Sequence, residues 1–177
     1  MNTAERRREL QQNAERLVQE LLRRGWKTAA AESCTGGMVT QALTSVPGAS
    51  GVLDYGVITY SNAVKQRELG VSGESLEAFG AVSRTVALQM AEGAARKAPA
   101  EMGLSTTGIA GPGGGTPQKP VGTVHICVWL LGQARHRQLD LLDECGNDRE
   151  AIRETAVLRL LELALSVLAE AGETAGG

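Results

Sequence analysis

The 177-residue sequence holds only two histidines, His125 and His136, and three cysteines, Cys34, Cys127 and Cys145. So little histidine leaves scant material for a Ser-His-Asp triad, and with no Cys-x-x-Cys or His-x-x-x-His spacing no metal site is expected. His125 stands mid-strand among apolar neighbours and reads as a packed core residue. Three cysteines, odd in number and far apart, make no disulfide framework and fit a reducing compartment. An excess of either charge is also missing: the net charge is −2, with no basic stripe to mark a nucleic-acid partner. The run Arg6-Arg7-Arg8 lies among Glu5, Glu9 and Glu15 and reads as a solvated helix face. No apolar run reaches bilayer length, so no membrane partner is expected; stretches such as Ile126 to Leu131 fall far short. The first residues are charged and Gln-rich, so no secretory leader is expected and the expected location is the cytoplasm. Repeats and linkers are absent too. With 42% hydrophobic and 21% charged residues, the chain is expected to form a single domain over 1–177, with an N-terminal helix to about 24 and a frayed tail at 172–177.

What is present is an alternation of strand and helix patterns. Leu10, Ala14, Leu17, Val18, Leu21 and Leu22 recur at helical spacing, and Gly25 closes that helix. Strands are expected at Lys27–Glu32, Val52–Tyr60 and Gly103–Ile109, then a hairpin of Val121–Leu131 with Arg135–Leu142 across Gly132-Gln133. Helices are expected at Met38–Ser45, from Asn62 to Leu69, near Glu74–Phe79, at Arg84–Lys97 and from Arg149 onward. This order makes an α/β domain with a mixed sheet covered on both faces. Leu158, Leu161 and Leu165 fall outside the terminal helix's inner stripe of Ile152, Ala156, Leu160, Leu163, Ala164 and Val167. They belong either to a subunit interface or to a deeper core.

Three stretches can carry chemistry. In Ala31-Glu32-Ser33-Cys34-Thr35-Gly36-Gly37 a strand runs into a glycine-bearing helix start, which directs N–H groups at one spot and suits an anion. The plainer reading makes Thr35 an N-cap and the glycines conformational. Gly108 to Pro120 follows a strand as a phosphate loop would. It lacks a Gly-Lys-Ser/Thr ending and leads into a strand, so it suits a lid or a close backbone approach to a ligand instead. Gly48-Ala49-Ser50-Gly51, then Tyr60-Ser61-Asn62 and Lys65, leave open a Ser-Lys pair, or else a turn serine and a solvated lysine. Cys34 at a helix start has a lowered thiolate pKa in its favour but no evident base.

Taken in order, TAAAESCTGG, PGASGVLDYGVITYSNAVK, LGV then GAVS, TGIAGPGGG…KPVGTV and GNDRE resemble the C-terminal domain of competence-damage-inducible CinA proteins. Free-standing members of that family are nicotinamide-nucleotide amidases. The resemblance covers nearly the whole chain, and the N-terminal domain of full-length CinA proteins has no counterpart in it. It implies a three-layer α/β/α sandwich with a mixed, mostly parallel sheet. It also implies hydrolysis of the carboxamide of nicotinamide mononucleotide to nicotinate mononucleotide and ammonia, in pyridine-nucleotide recycling, with no metal or cofactor. The family's nucleophile matches Ser50, its partner lysine Lys65 and its active-site tyrosine Tyr60. Ser33, Thr107 and Arg149 match positions lining the nucleotide pocket. The helix start Thr35-Gly36-Gly37 and Arg149 would receive the phosphate, with backbone amides of the glycine loops, from Gly108 on, at the oxyanion. Relatives read Gly-Asp-Arg where this chain has Gly146-Asn147-Asp148-Arg149, so Arg153, one turn on, is the alternative to Arg149. A small-molecule nucleotide and a homo-oligomer are the implied partners. The rivals are a non-catalytic nucleotide-binding module linked to competence or DNA damage, a Cys34 amidase and a loop-based phosphotransferase.

Overall fold

The computed structural model describes residues 1–173. Helix α1 (Thr3–Arg24) opens on a capping box between Asn2 and Glu5 and ends at Gly25, whose φ of +66° suits the left-handed cap. There follow β1 (Thr28–Glu32), α2 (Met38–Thr44), a 3-10 turn (Ala49–Gly51), β2 (Leu53–Ile58), α3 (Asn62–Leu69), α4 (Gly73–Phe79) and α5 (Arg84–Lys97). The chain continues as β3 (Met102–Gly108), β4 (Thr123–Leu130), β5 (Gln133–Asp140), α6 (Leu142–Cys145) and α7 (Arg149–Glu173). These elements follow the sequence expectation closely. The hairpin differs, because its two-residue turn is Leu131-Gly132, with φ of +48° and +90°. Positive φ at both positions matches the strand twist and starts β5 two residues early. The expected tail begins inside α7, and residues 174–177 lie outside the described part.

The sheet order is β2-β1-β3-β4-β5. Strands β2, β1 and β3 run parallel, and β4 pairs antiparallel with both β3 and β5. Four of the five strands therefore share one direction. Central β1, Thr-Ala-Ala-Ala-Glu, is buried along its length, whereas edge strand β5 is mostly exposed. Ala30, Met102, Leu104, Ile126 and Val128 face a core shared with α1, α2 and α7. Ala29 and Ala31 face the opposite way, against Leu69, Val86, Met90 and Ala94 of α3 and α5. Helices thus cover both faces, as expected of a three-layer sandwich.

Close approach on the α5 side depends on two glycines. A Cβ at Gly103 would meet the Ala91 carbonyl oxygen at 1.9 Å, and one at Gly93 would meet that of Leu69 at 2.1 Å. On the other side, Leu158 and Leu161 are fully buried in this one chain, and α7 packs along α1. Leu158 and Leu161 are therefore core, whereas Leu165 is half-buried at its edge. Arg6 is also buried, contrary to the solvated face expected of it. Its Nε bonds Glu154 of α7 at 2.8 Å, and Arg7 bonds the other oxygen of the same carboxylate at 2.5 Å. No helix among the described residues is long and apolar enough to cross a membrane.

Candidate functional site

The carboxyl ends of parallel strands open onto one edge of the sheet, where ligands of α/β domains collect. Ser33 follows β1, Tyr60 and Lys65 follow β2, and Thr107-Gly108 end β3. All five line one cavity of about 310 Å³, together with Ala81, Val82, Gly111, Gly113, Gly114 and Arg149.

At its floor lies Lys65. Ser61 caps α3 through Val64 N–H, which places Lys65 on the first turn and turns its side chain back under the strand end. The side chain is 1% exposed. Its Nζ donates to Thr59 O at 2.5 Å and to Ser33 Oγ at 3.0 Å. It forms no ion pair with a carboxylate among the described residues, and burial pushes its pKa below the ordinary lysine value. A lysine so held approaches the neutral amine needed in a base.

The turn after β1 is organised by Glu32, a role not foreseen from sequence. This buried carboxylate accepts from the N–H groups of Gly37 (3.0 Å), Val39 (3.0 Å) and Thr40 (2.8 Å), and from the hydroxyls of Thr35 (2.6 Å) and Thr40 (2.7 Å). The helix start is therefore already occupied by an anion of the protein itself. This corrects the expected phosphate cradle. Thr35 is fully buried between Glu32 and Thr106, the Gly37 N–H serves Glu32, and the Gly36 N–H serves Ser33 O at 3.2 Å. None of the three lines the cavity. Arg153 reinforces the turn, donating to Cys34 O at 3.1 Å and Thr35 O at 2.7 Å.

Arg149, at the start of α7, is the arginine that reaches the cavity. It donates to Gly111 O at 2.5 Å and to the Tyr60 hydroxyl at 3.2 Å. Tyr60 is 65% exposed, so the pair stands at the mouth. The Tyr60 hydroxyl accepts from Arg149 and, among the described residues, makes no hydrogen bond to Ser33 or Lys65. Thr107 is buried, and its hydroxyl donates to Ala81 O at 2.8 Å, tying β3 to the segment before α5. Cys34 is a buried wall residue. Burial pushes its thiol up to about 12, leaving no thiolate near neutral pH.

Ser50 is elsewhere. It sits exposed in the 3-10 turn that precedes β2, whereas Lys65 follows that strand. Six extended residues separate the two ends by roughly 20 Å at about 3.3 Å per residue. Around Ser50, Gly48 and Gly51 pack against Leu22 at the end of α1. The expected Ser50–Lys65 pair is not made, and the serine hydroxyl on Lys65 is that of Ser33. The signal for it was topological, since Ser33 follows a strand and Ser50 leads into one.

Comparison with known proteins agrees with this architecture. Residues 10–168 match the model of the CinA C-terminal domain. A CinA-like protein of Anaeromyxobacter sp. (strain K) is 60% identical over 154 residues, which is 85% of this chain and 37% of that protein. Another, of Syntrophobacter fumaroxidans, is 49% identical over 157 residues, 88% of this chain and 36% of that protein. The chain thus spans little more than a third of the length of these relatives. Among solved structures, the competence/damage inducible protein CihA of Agrobacterium tumefaciens superposes with a TM-score of 0.86 at 41% identity, covering 91% of this chain and 96% of that one. A CinA superfamily protein of Klebsiella pneumoniae gives 0.85 at 31% identity, covering 91% and 98%. With fold, strand order and sequence in agreement over most of its length, this chain belongs to the CinA C-terminal domain family.

Proposed function

We propose that this domain hydrolyses the carboxamide of nicotinamide mononucleotide, releasing ammonia and nicotinate mononucleotide, with Ser33 as nucleophile and Lys65 as its base. The observation that carries this reading is the 3.0 Å contact between Ser33 Oγ and the buried Lys65 amine. In the neutral form of Lys65 the serine hydroxyl donates to the amine lone pair. The Ser33 oxygen then bonds the amide carbon as its proton passes to Nζ. Collapse of the tetrahedral intermediate breaks the C–N bond, and Lys65 returns that proton to the departing ammonia. A water molecule repeats the sequence on the ester, freeing the carboxylate and restoring Ser33. Backbone amides of the loop from Ala110 to Gly114, which lines the cavity, supply donors for the oxyanion; losing such a donor typically costs about 100-fold or more in rate. Arg149 at the mouth suits the 5′-phosphate, for which a guanidinium offers paired donors.

Incubation with nicotinamide mononucleotide and measurement of ammonia tests this directly. Ser33→Ala is expected to lower turnover by at least about 10⁴-fold, the scale on which nucleophiles act. Ser50→Ala and Cys34→Ala are expected to keep most of it. Activity surviving in Ser33→Ala and lost in Ser50→Ala would refute the assignment. Nucleotide binding without ammonia release would favour a binding module, the reading that the competence and damage names of its relatives suggest.

A further inference from the structure

Next to the first cavity lies a second, of about 420 Å³, whose lining includes Phe79, Arg84, Lys119, Thr123, His125 and Gln138. Val82 lines both cavities, and Thr107 of the first stands opposite His125 of the second in the β3–β4 ladder. No acidic residue lines the second cavity among the described residues. Among the described residues Arg84 and Lys119 form no ion pair with a carboxylate, and Lys119 Nζ donates to Phe79 O at 2.7 Å. Ser83 and Arg84 bring the positive end of the 14-residue helix α5 to the same wall.

Three further observations point to a ligand. The Thr123 hydroxyl is buried without a hydrogen-bond partner, although a satisfied partner is the rule for such groups. Phe79, the single phenylalanine of the chain, is 53% exposed at this cavity. His125 Nδ1 and His136 Nε2 lie 2.8 Å apart; with His136 as the donor, neutral His125 keeps its own N–H on Nε2 for a ligand.

We propose that this cavity is a second nucleotide site, in which Arg84, Lys119 and His125 hold a phosphate and Phe79 offers its ring to the base. Cations without carboxylate partners select an oxyanion, and an exposed aromatic ring beside them selects a flat heterocycle. Volumes of this size are usual for small-molecule sites. Burial lowers His125 to about 4 and also lowers His136, with Lys119 and Arg84 acting in the same direction and Asp140, which accepts from Gln138, opposing. Both imidazoles are therefore neutral near pH 7, and Arg84 and Lys119 supply the charge. Ammonia release at Ser33 is not needed for this site to exist.

The test is titration of the whole chain with inorganic phosphate, adenosine 5′-monophosphate and adenosine, followed by calorimetry and by the ring ¹H–¹⁵N signals of His125 and His136. Both anions should shift these signals saturably, and the monophosphate should bind about tenfold more tightly than phosphate, the worth of one stacked base. Lys119→Met and Arg84→Gln should each weaken both anions about tenfold, one charged hydrogen bond's worth. Phe79→Ala should reduce the monophosphate to the affinity of phosphate and leave phosphate unchanged. Monophosphate binding that also weakens in Arg149→Gln would mean that the nucleotide reaches across both cavities; insensitivity to that change would mean that it fills the second alone. Histidine signals that stay fixed through saturation would overturn the proposal. So would binding lost in Arg149→Gln but untouched by Lys119→Met and Arg84→Gln.

Discussion

Lys65 shows most directly how this fold charges stability against chemistry. A buried amine whose hydrogen-bond partners are a carbonyl and a hydroxyl is better neutral than charged. The folded state consequently holds the Lys65 proton less tightly than the unfolded chain does. Between the lowered folded value and the ordinary 10.5, the unfolded chain binds more protons, so stability from this group rises with pH through that window. Lys65→Met removes the penalty. It is expected to melt at higher temperature than the parent at pH 7, to lose that advantage above about pH 10.5, and to release no ammonia. For the parent, ammonia release should rise with pH along a limb whose midpoint lies below the ordinary lysine value. A midpoint at or above that value would remove Lys65 from the role of neutral base.

At the level of elements, the join between β1 and α2 depends on Glu32. A helix of seven residues gains little from propensity alone, and here its free N–H groups converge on one carboxylate. Glu32→Ala leaves several buried donors unpaired. A loss of about 3–5 kcal/mol in denaturant unfolding is expected, with Ser33 displaced from Lys65 and activity lost together. Glu32→Gln keeps two acceptor positions on one oxygen and should cost less. Sequence periodicity conveyed nearly every element here, because apolar spacing and caps such as Ser61 and Ser83 are local signals. It did not convey Glu32. A carboxylate folded back onto donors five to eight residues ahead looks, in sequence, like any other glutamate. The serines failed differently. Ser33 and Ser50 sit in comparable glycine-bearing stretches, and only the direction of the adjoining strand separates them. The same holds for Arg149 and Arg153: one turn of α7 sends the first to the cavity and the second to the carbonyls of Cys34 and Thr35.

Across the molecule, α1 and α7 are clasped by the Arg6–Glu154 pair, with Arg7 on the same carboxylate. Buried pairs of this kind gain little over apolar packing but are costly to break on one side. Arg6→Ala is expected to cost about 3 kcal/mol in thermal or denaturant unfolding, while the double change Arg6→Met with Glu154→Leu recovers most of it. Since α7 also carries Arg149 and Arg153, loosening the clasp should reach the cavity as a higher KM more than as a lower kcat. On the other face, the contact of Gly103 and Gly93 with backbone carbonyls leaves no room for even one methyl group. Helix α5 can sit this close only while both positions stay bare, and its leading end brings Ala81, Val82 and Arg84 to the two cavities. For a lineage accumulating mutations, these two sites are closed to drift although neither lines either cavity. Their invariance across descendants would record how closely α5 packs on β3 and on α3, and a survey of variation that equates constancy with contact to a ligand would misplace the candidate site.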